Sequence, residues 1–415
     1  MEIMRAYKFR IYPDMKRQAA IDNSISTSQR LYNKLLEKAI NAHKKNPSSK
    51  ISQKTINQLL NEIIKEDKTY LQLYAHVRVD IRNKLLRTYQ NFFRRCQQRK
   101  SGKKTKVGFP RFKPKDRFNS ITHIESNGSF KFERSEKKNM LRISKIGRVQ
   151  IAQHRDITGN IKTMTIKKEG KDYYAIFTAE QATNPPTVNN TNPIGIDLGL
   201  NNFIAMSNGT TIQKPKFYKK HEKRIKWWQR SLSRRKKGSK RRQKAKQHLQ
   251  KEWNEVTRAS DDFMHKLSQK LVSSGYTSFA TENLNMQNMQ KNHRLAQSIA
   301  NASWSRFVNY LTYKAESAGM KAAEVPSKDT TKMCSSCGTK KKVPLKEREY
   351  ICGNCGPHMD RDVNAAINIL HKATTLGQRE SHAQGDAGQY SATGDANSAE
   401  ELRTYPATAG EANDL

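Results

Sequence analysis

Four of the five cysteines stand in two Cys-x-x-Cys pairs, Cys334-Ser-Ser-Cys337 and Cys352-Gly-Asn-Cys355, with fourteen residues between them. Each pair grips one side of an ion from a tight turn, and the loop of Lys, Glu and turn residues returns the chain so that four thiolates surround Zn²⁺. The spacing predicts a closed structural zinc ribbon, a staple that is not by itself an enzyme. A redox dithiol or a set of buried thiols is the other reading, and two such pairs at this separation favour the metal. Cys96 lies alone in an amphipathic helical stretch and is expected to pack.

The chemistry is therefore sought among the acids. The chain carries 78 Lys plus Arg against 37 Asp plus Glu, a formal net charge of +41, so a carboxylate that ends an apolar strand stands out. Asp197 lies in Ile194-Gly-Ile-Asp197-Leu-Gly199, where a strand delivers the acid and glycines permit a close turn into a return strand. Alone, that motif reads as a turn aspartate. Glu282 ends a second apolar strand, Ser278-Phe-Ala-Thr-Glu282, and Asp362 follows the cysteines just before the helix 364–370. Three acids at element ends form the oxygen set that Mg²⁺ prefers, and two such ions activate water and stabilise the leaving oxygen of a phosphodiester.

The elements that position these groups are legible from periodicity. Residues 3–12 alternate, with Tyr7, Phe9 and Ile11 on one side, and stop at Pro13, which reads as a strand. From about 14 to 100 the spacing is helical, with Ile21, Ile25, Tyr32, Leu35, Leu36 and Ala39 in one stripe and Val77, Ile81, Leu85, Tyr89 and Phe92 in another. From about 120 to 182 the chain returns to strands, including a hairpin around Glu169-Gly170. The simplest topology inserts the helical block between the first strand and its later partners. Residues 183–192, rich in Pro, Asn and Thr, read as a linker. The stripe Trp304, Phe307, Val308, Leu311, Ala315 and Ala318 is core.

The charge is concentrated. Residues 211–250 hold seventeen Lys or Arg, one acid (Glu222) and the pair Trp227-Trp228; residues 91–120 hold eleven basic residues, one acid (Asp116) and Phe92, Phe93, Phe109, Phe112 and Phe118. Basic runs interleaved with aromatics suit a channel that grips phosphate and stacks bases, so nucleic acid is the expected partner. A membrane surface is disfavoured: mean hydropathy is -0.90, no apolar run approaches the roughly 18 residues of a span, and the N-terminal residues lack a signal-peptide core. A cytoplasmic location is expected. Residues 373–415 reverse the sign, with seven acids, two Arg and almost no large apolar side chains, and are expected to be a disordered tail.

The motif order resembles the TnpB (OrfB) family of insertion-sequence RNA-guided nucleases. The residues that carry the resemblance are Gly195-Ile-Asp-Leu-Gly199, Glu282-Asn-Leu284, the stretch Lys291-Asn-His-Arg-Leu-Ala-Gln-Ser-Ile-Ala-Asn-Ala-Ser-Trp304, the paired cysteines and Asp360-Arg-Asp-Val-Asn-Ala-Ala366. Ala6-Tyr-Lys-Phe-Arg-Ile-Tyr-Pro13, Asn91-Phe-Phe-Arg-Arg95 and Gly108-Phe-Pro-Arg-Phe-Lys113 are similar as well. The resemblance implies an α+β multidomain chain. A wedge β-barrel (1–13 and 105–182) would carry an inserted helical recognition lobe (14–104), and an RNase H-like, RuvC-type α/β nuclease domain (193–329 and 358–372) would be split by a zinc ribbon (330–357) that binds target nucleic acid. It also implies a monomer loaded with a guide RNA from the element's own end and acting on double-stranded DNA beside a short flanking motif.

In that family pattern Asp197 bridges both Mg²⁺ ions, while Glu282 and Asp362 each complete one coordination sphere; Asp360 is a second candidate for the third place. His293, between Lys291 and Arg294 in sequence, reads as a nucleic-acid contact or an exposed residue in preference to a general base. Three alternatives use the same features: a nuclease-dead DNA-binding repressor, a strand-joining transposase and a compact type V CRISPR effector. The first would have lost an acid, and all three are present.

Overall fold

The computed structural model describes residues 2–46, 51–102, 105–124, 128–133, 139–182, 191–293, 295–341, 343–344 and 347–385. They fall into two compact units, residues 2–182 and residues 191–385. Residues 183–190 of the expected linker and 386–415 of the expected tail lie outside the described residues.

The first unit is a sheet with helices set into it. Strand β1 (Glu2–Tyr12) is followed by helices α1 (Met15–Lys45), α2 (Gln53–Glu66) and α3 (Ala75–Lys100), then by β2 (Ser120–Ile124), β3 (Phe130–Glu133), β4 (Met140–Ile143), β5 (Gly147–Ile151), β6 (Asn160–Glu169) and β7 (Asp172–Ala182). Asp14 starts α1 by accepting a hydrogen bond from the Arg17 amide, and His43, Lys44 and Lys45 sit at its carbonyl end, where cations suit the helix dipole. β1 pairs antiparallel with β7 from Glu2–Ala182 to Ile11–Tyr173, and with β5 at Ile11–Ile151. Its period of two sends Tyr7, Phe9 and Ile11 into one core with the apolar stripes of α1–α3.

The wedge β-barrel that the resemblance implies is seen in part, as a seven-stranded half-barrel. The sheet runs β2-β6-β7-β1-β5-β4-β3 and, among the described residues, its edge strands β2 and β3 are not joined, which leaves a half-barrel. Ile21, Leu35, Ile56, Ile81 and Leu85 of the inserted helices share the sheet's core, so the helices cover the face that closure would otherwise seal.

The second unit has strands β8 (Pro193–Leu198), β9 (Ile204–Met206) and β10 (Thr211–Ile212), helices α4 (Phe217–Ser233) and α5 (Lys240–Val272), strand β11 (Ser278–Asn283), helices α6 (Met286–Met289), α7 (Ala296–Ala302) and α8 (Trp304–Ser317), and strand β12 (Lys321–Pro326). A small hairpin, β13 (Glu349–Ile351) with β14 (His358–Asp360), leads into α9 (Arg361–Gly385). The sheet order is β10-β9-β8-β11-β12; β8 runs parallel to β11 and β11 to β12, and the other pairs are antiparallel. α5 and α8 cover one face through Met264, Leu267, Leu271, Phe307 and Leu311. α9 covers the other, with Ile369 against Ala280 and Val325. Among the described residues no helix is long and apolar enough to cross a membrane.

α9 continues to Gly385, so residues 373–385, assigned from composition to the disordered tail, are helical. Its early turns are anchored on the sheet, and propagation from an anchored helix adds a hydrogen bond per residue without a new nucleation cost.

Gly195 is the most closely covered of the described glycines in this unit. A Cβ there would lie 2.1 Å from the Ala366 carbonyl oxygen and 2.9 Å from Leu370 Cβ, so only glycine lets α9 settle onto β8. Gly195→Ala is expected to destabilise by about 1–3 kcal/mol through overpacking, read as a lower thermal midpoint. Gly108→Ala, which meets nothing within 4 Å, serves as the control; equal midpoints for the two variants would contradict the close packing.

Candidate active site and metal centre

Register places two acids on one face of the sheet. Ala280 of β11 pairs with Gly195 of β8 and Thr281 with Ile196, so Asp197 and Glu282 follow on adjacent central strands and share the α9 face with Gly195 and Ala280. The third arrives on α9, whose first turn holds Asp362; a Cβ on Gly199 would lie 3.7 Å from Asp362 Oδ2. All three residues are buried, at 7% exposure each. Burial, and then the charges of Glu282 and Asp362, push the Asp197 carboxyl well above its ordinary range. Burial also raises Glu282, against the Thr330 hydroxyl and Lys372, which favour its charged form. Among the described residues these three acids do not converge within 4.8 Å as the four cysteines do.

Asp360 and Asp362 have different positions. Asp360 Oδ1 accepts hydrogen bonds from the Asp362 and Val363 amides at 2.8 and 3.1 Å, which makes it the cap of α9. Asp362 lies near enough to Asp197 to raise its carboxyl and draws two guanidinium groups, Arg361 at 3.6 Å and Arg348 at 3.9 Å.

Five hydrogen bonds hold this end of the unit. The buried Thr330 hydroxyl donates to Glu282 Oε1 and fixes that carboxylate. Asn364 and Asn368, buried in α9, donate from Nδ2 to the Met333 carbonyl at 2.8 and 2.7 Å, and Asn368 also donates to the Thr330 carbonyl at 2.9 Å. The Ser335 amide donates back to Asn364 Oδ1 at 2.9 Å. Two asparagines four apart on an otherwise apolar helical face were a usable signal, because buried amides need partners. Thr330 and Arg348 carried none.

The cysteines form the second ligand set. Their four Sγ atoms lie within 4.8 Å of one another, with Cys334–Cys355 and Cys337–Cys352 both at 3.6 Å. Gly338 (φ 74°) and Gly356 (φ 88°) follow the two pairs in left-handed conformation, and each returns its amide to the first cysteine's carbonyl. Hydrogen bonds from Thr339 pull the Cys337 thiol down to about 5, and its sulfur neighbours push Cys355 upward. Four crowded sulfurs can all become thiolates only beside a cation, so the donor set fits a tetrahedral metal.

The basic segments are only partly as the sequence suggested. Trp228 stacks on His248 at 4.3 Å between α4 and α5, Phe118 packs against Tyr32, and Phe92 and Phe93 pack with Tyr89 and Phe109. Phe109, Phe112 and Trp227 remain exposed for stacking, and His293 is exposed; Arg294 lies outside the described residues. A third cluster, His221, Glu252 and Glu255, also has ligand atoms within 4.8 Å of one another. It works as an ion-pair knot between α4 and α5: burial pushes the Glu252 carboxyl up, yet His221 at 2.7 Å and Arg224 at 3.4 Å hold it below its usual range.

Residues 176–293 match the OrfB_IS605 family, described as "Probable transposase"; residues 304–369 match "Cas12f1-like, TNB domain"; and residues 1–47 match a "Helix-turn-helix domain". The last stretch folds here as β1 and the single helix α1. A Streptomyces pristinaespiralis protein named "Putative RNA-guided DNA endonuclease" is 29% identical over 89% of each chain. An Escherichia coli (strain K12) protein named "Putative RNA-guided DNA endonuclease InsQ" is 25% identical over 69% of this chain and 71% of its own. The protein of a Cas12f1–sgRNA–target DNA complex shares the fold at TM-score 0.53 and 14% identity, over 89% of this chain and 99% of that one.

The raised Asp197 carboxyl sets a pH dependence in chelator. The folded state holds this proton more tightly than the unfolded chain, whose aspartate titrates near about pH 4, so the group costs stability as pH rises from there. Asp197→Asn is expected to raise the thermal midpoint by a few degrees at pH 8, with the gain shrinking towards pH 4. A pH-independent difference, or a less stable Asn variant at pH 8, would contradict the reading.

Proposed function

We propose that the chain is an insertion-sequence-encoded RNA-guided DNA endonuclease of the TnpB (OrfB) type, a reading supported by the matched family models and the relatives so named, and that its residues cut DNA as follows. A guide RNA read from the element's end pairs with one DNA strand and supplies sequence specificity, while the protein reads a short flanking motif. The Lys and Arg of α4, α5 and residues 91–120 grip backbone phosphate. A bacterial cytoplasmic location would suit nucleic-acid partners and a zinc site that needs reduced thiols.

Cutting is assigned to an RNase H-like, RuvC-type domain. What supports this is a mixed sheet with β8 at its centre that gathers Asp197, Glu282 and Asp362 from three elements into one buried acidic site. Asp197 would contribute to both Mg²⁺ positions, with Glu282 and Asp362 each completing one. The ions, when bound, supply the charge that activates water and stabilises the leaving oxygen. Thr330 holds Glu282 with one oxygen engaged, Asp360 sets the helix start that presents Asp362, and burial excludes bulk water from the carboxylates. The cysteine ribbon is a closed structural Zn²⁺ site with no position open for catalysis. The strand-joining alternative keeps one point in its favour, the word "transposase" in the family description, and joined products in a cutting assay would support it.

Replacing Asp197, Glu282 or Asp362 with Ala is expected to lower cleavage of supercoiled target by about a thousandfold or more, with guide-directed binding in Ca²⁺ unchanged. Asp360→Ala is expected to keep cutting within about tenfold and to cost about 1 kcal/mol of stability as a lost cap. Undiminished cutting by Asp197→Ala or Glu282→Ala would refute the nuclease site, and loss with Asp360→Ala but not Asp362→Ala would move the third ligand. Elemental analysis is expected to find one zinc per chain, lost with Cys352→Ser plus Cys355→Ser; full retention would rule the site out.

A further inference from the structure

Helix α4 is built against its own electrostatics. Its N-cap, Lys216, offers no side-chain cap, its first turn holds Lys219 and Lys220 and no acid, and of its residues only Ile225 is buried. Cations at a helix start oppose the dipole, and a helix draws most of its stability from a buried face, so α4 has little support from either. On the side opposite Ile225, at spacings of three and four, the exposed Lys220, Lys223, Arg224, Trp227, Arg230 and Arg234 share one face. Like charges four apart repel, as Lys220 with Arg224 and Arg230 with Arg234 do. The helix's single acid, Glu222, lies off this face, where it pairs with Lys226 at 2.6 Å.

Trp227 stands in the middle of that face. It is 58% exposed, yet its ring is fixed: it meets Trp228 edge-on, with centroids 4.3 Å apart and planes at 81°, and Trp228 lies flat on His248 of α5 at 4.3 Å and 3°. Trp228 makes the packing between the two helices. Trp227 is left as a flat apolar surface, held in place, with cations one turn before it and one turn after.

Resting on the RNA-guided reading, we propose that this face binds an unpaired stretch of the guide RNA and stacks one base on Trp227. Phosphate relieves the repulsion along α4, and that repulsion is there whenever the helix is folded, so the occupant is the RNA that stays bound and not a DNA target that comes and goes. An acidic protein would answer the cations and leave the indole in water, whereas a base has a flat π-face for it. The strand is unpaired at that point, because a duplex covers its base faces and a blunt duplex end on the ring would serve the cations on one side of it only. Trp227 thereby supplies affinity that does not depend on salt, and Lys223, Arg230 and Arg234 supply affinity that does.

The test uses the full chain and the RNA that copurifies with it, extracted, labelled and bound again without Mg²⁺ over a range of salt. Trp227→Ala is expected to weaken binding about tenfold or more with the slope against log salt unchanged, and Trp227→Tyr to stay within about threefold of the parent. Arg230→Ala is expected to weaken binding and to flatten the slope by about 0.7. The RNA-free thermal midpoint of Trp227→Ala is expected to stay within about 2 °C of the parent. Unchanged RNA affinity in Trp227→Ala overturns the proposal, as does a loss confined to target DNA binding by the loaded complex, which would make DNA the occupant. A midpoint that falls together with the affinity, with no rescue by tyrosine, would make the ring a packing residue and overturn it too. A parent that binds no RNA refutes the RNA-guided reading itself, which an RNA-binding parent with an indifferent Trp227 leaves standing.

Discussion

Carboxylates buried side by side repel one another and lose the hydration that would soften the repulsion, so a fold that gathers three of them must hold each by force from elsewhere. Much of the second unit is arranged to that end. Gly195 has no Cβ, so α9 lies against β8 closely enough to bring Asp362 to Asp197. Asp360 caps α9 and fixes where the helix starts, and therefore which way Asp362 faces. Thr330 pins Glu282, while Asn364 and Asn368 tie the entry of the cysteine ribbon to the same helix. Arg348 and Arg361 supply partial compensation at Asp362, and a divalent cation would supply the rest.

The cysteine ribbon enters the same logic as a scaffold. Residues 330–333 leave β12, bond to α9 and then open the first cysteine turn, and the chain returns through β14 to the cap at Asp360. A metal that closes the ribbon thus fixes both ends of the segment that carries Thr330 and presents Asp362. Nothing in the ribbon need touch a substrate for its loss to be felt at the acids.

What the sequence reveals depends on whether a feature is set locally. The cysteine pairs, the alternating strand at 3–12 and the strand ends at Asp197 and Glu282 are each encoded within a few residues, and the structure shows strands and a four-sulfur cluster there. The different positions of Asp360 and Asp362 are not legible locally, because they depend on Asp360 capping α9 and on how α9 lies against β8 at Gly195. Aromatic residues in basic runs mislead for a related reason: Trp228 and Phe118 serve the packing of their own helices, and only tertiary structure distinguishes them from Trp227 and Phe112, which stay exposed. Likewise the half-barrel is open because α1–α3 already cover its face, a long-range fact that no strand pattern records. Thr330 and Arg348 sit in segments without periodicity and become meaningful only through their partners.

The central claim is that Asp197 is shared by two cations while Glu282 and Asp362 serve one each. Mn²⁺ titration followed by EPR tests it directly, on the guide-loaded protein holding a target with a phosphorothioate at the cut position to block cleavage. The account predicts two bound, spin-coupled Mn²⁺ ions per chain in the parent, one uncoupled ion in Glu282→Ala and in Asp362→Ala, and none held tightly in Asp197→Ala. Two coupled ions persisting in Asp197→Ala, or none in the parent, would contradict it.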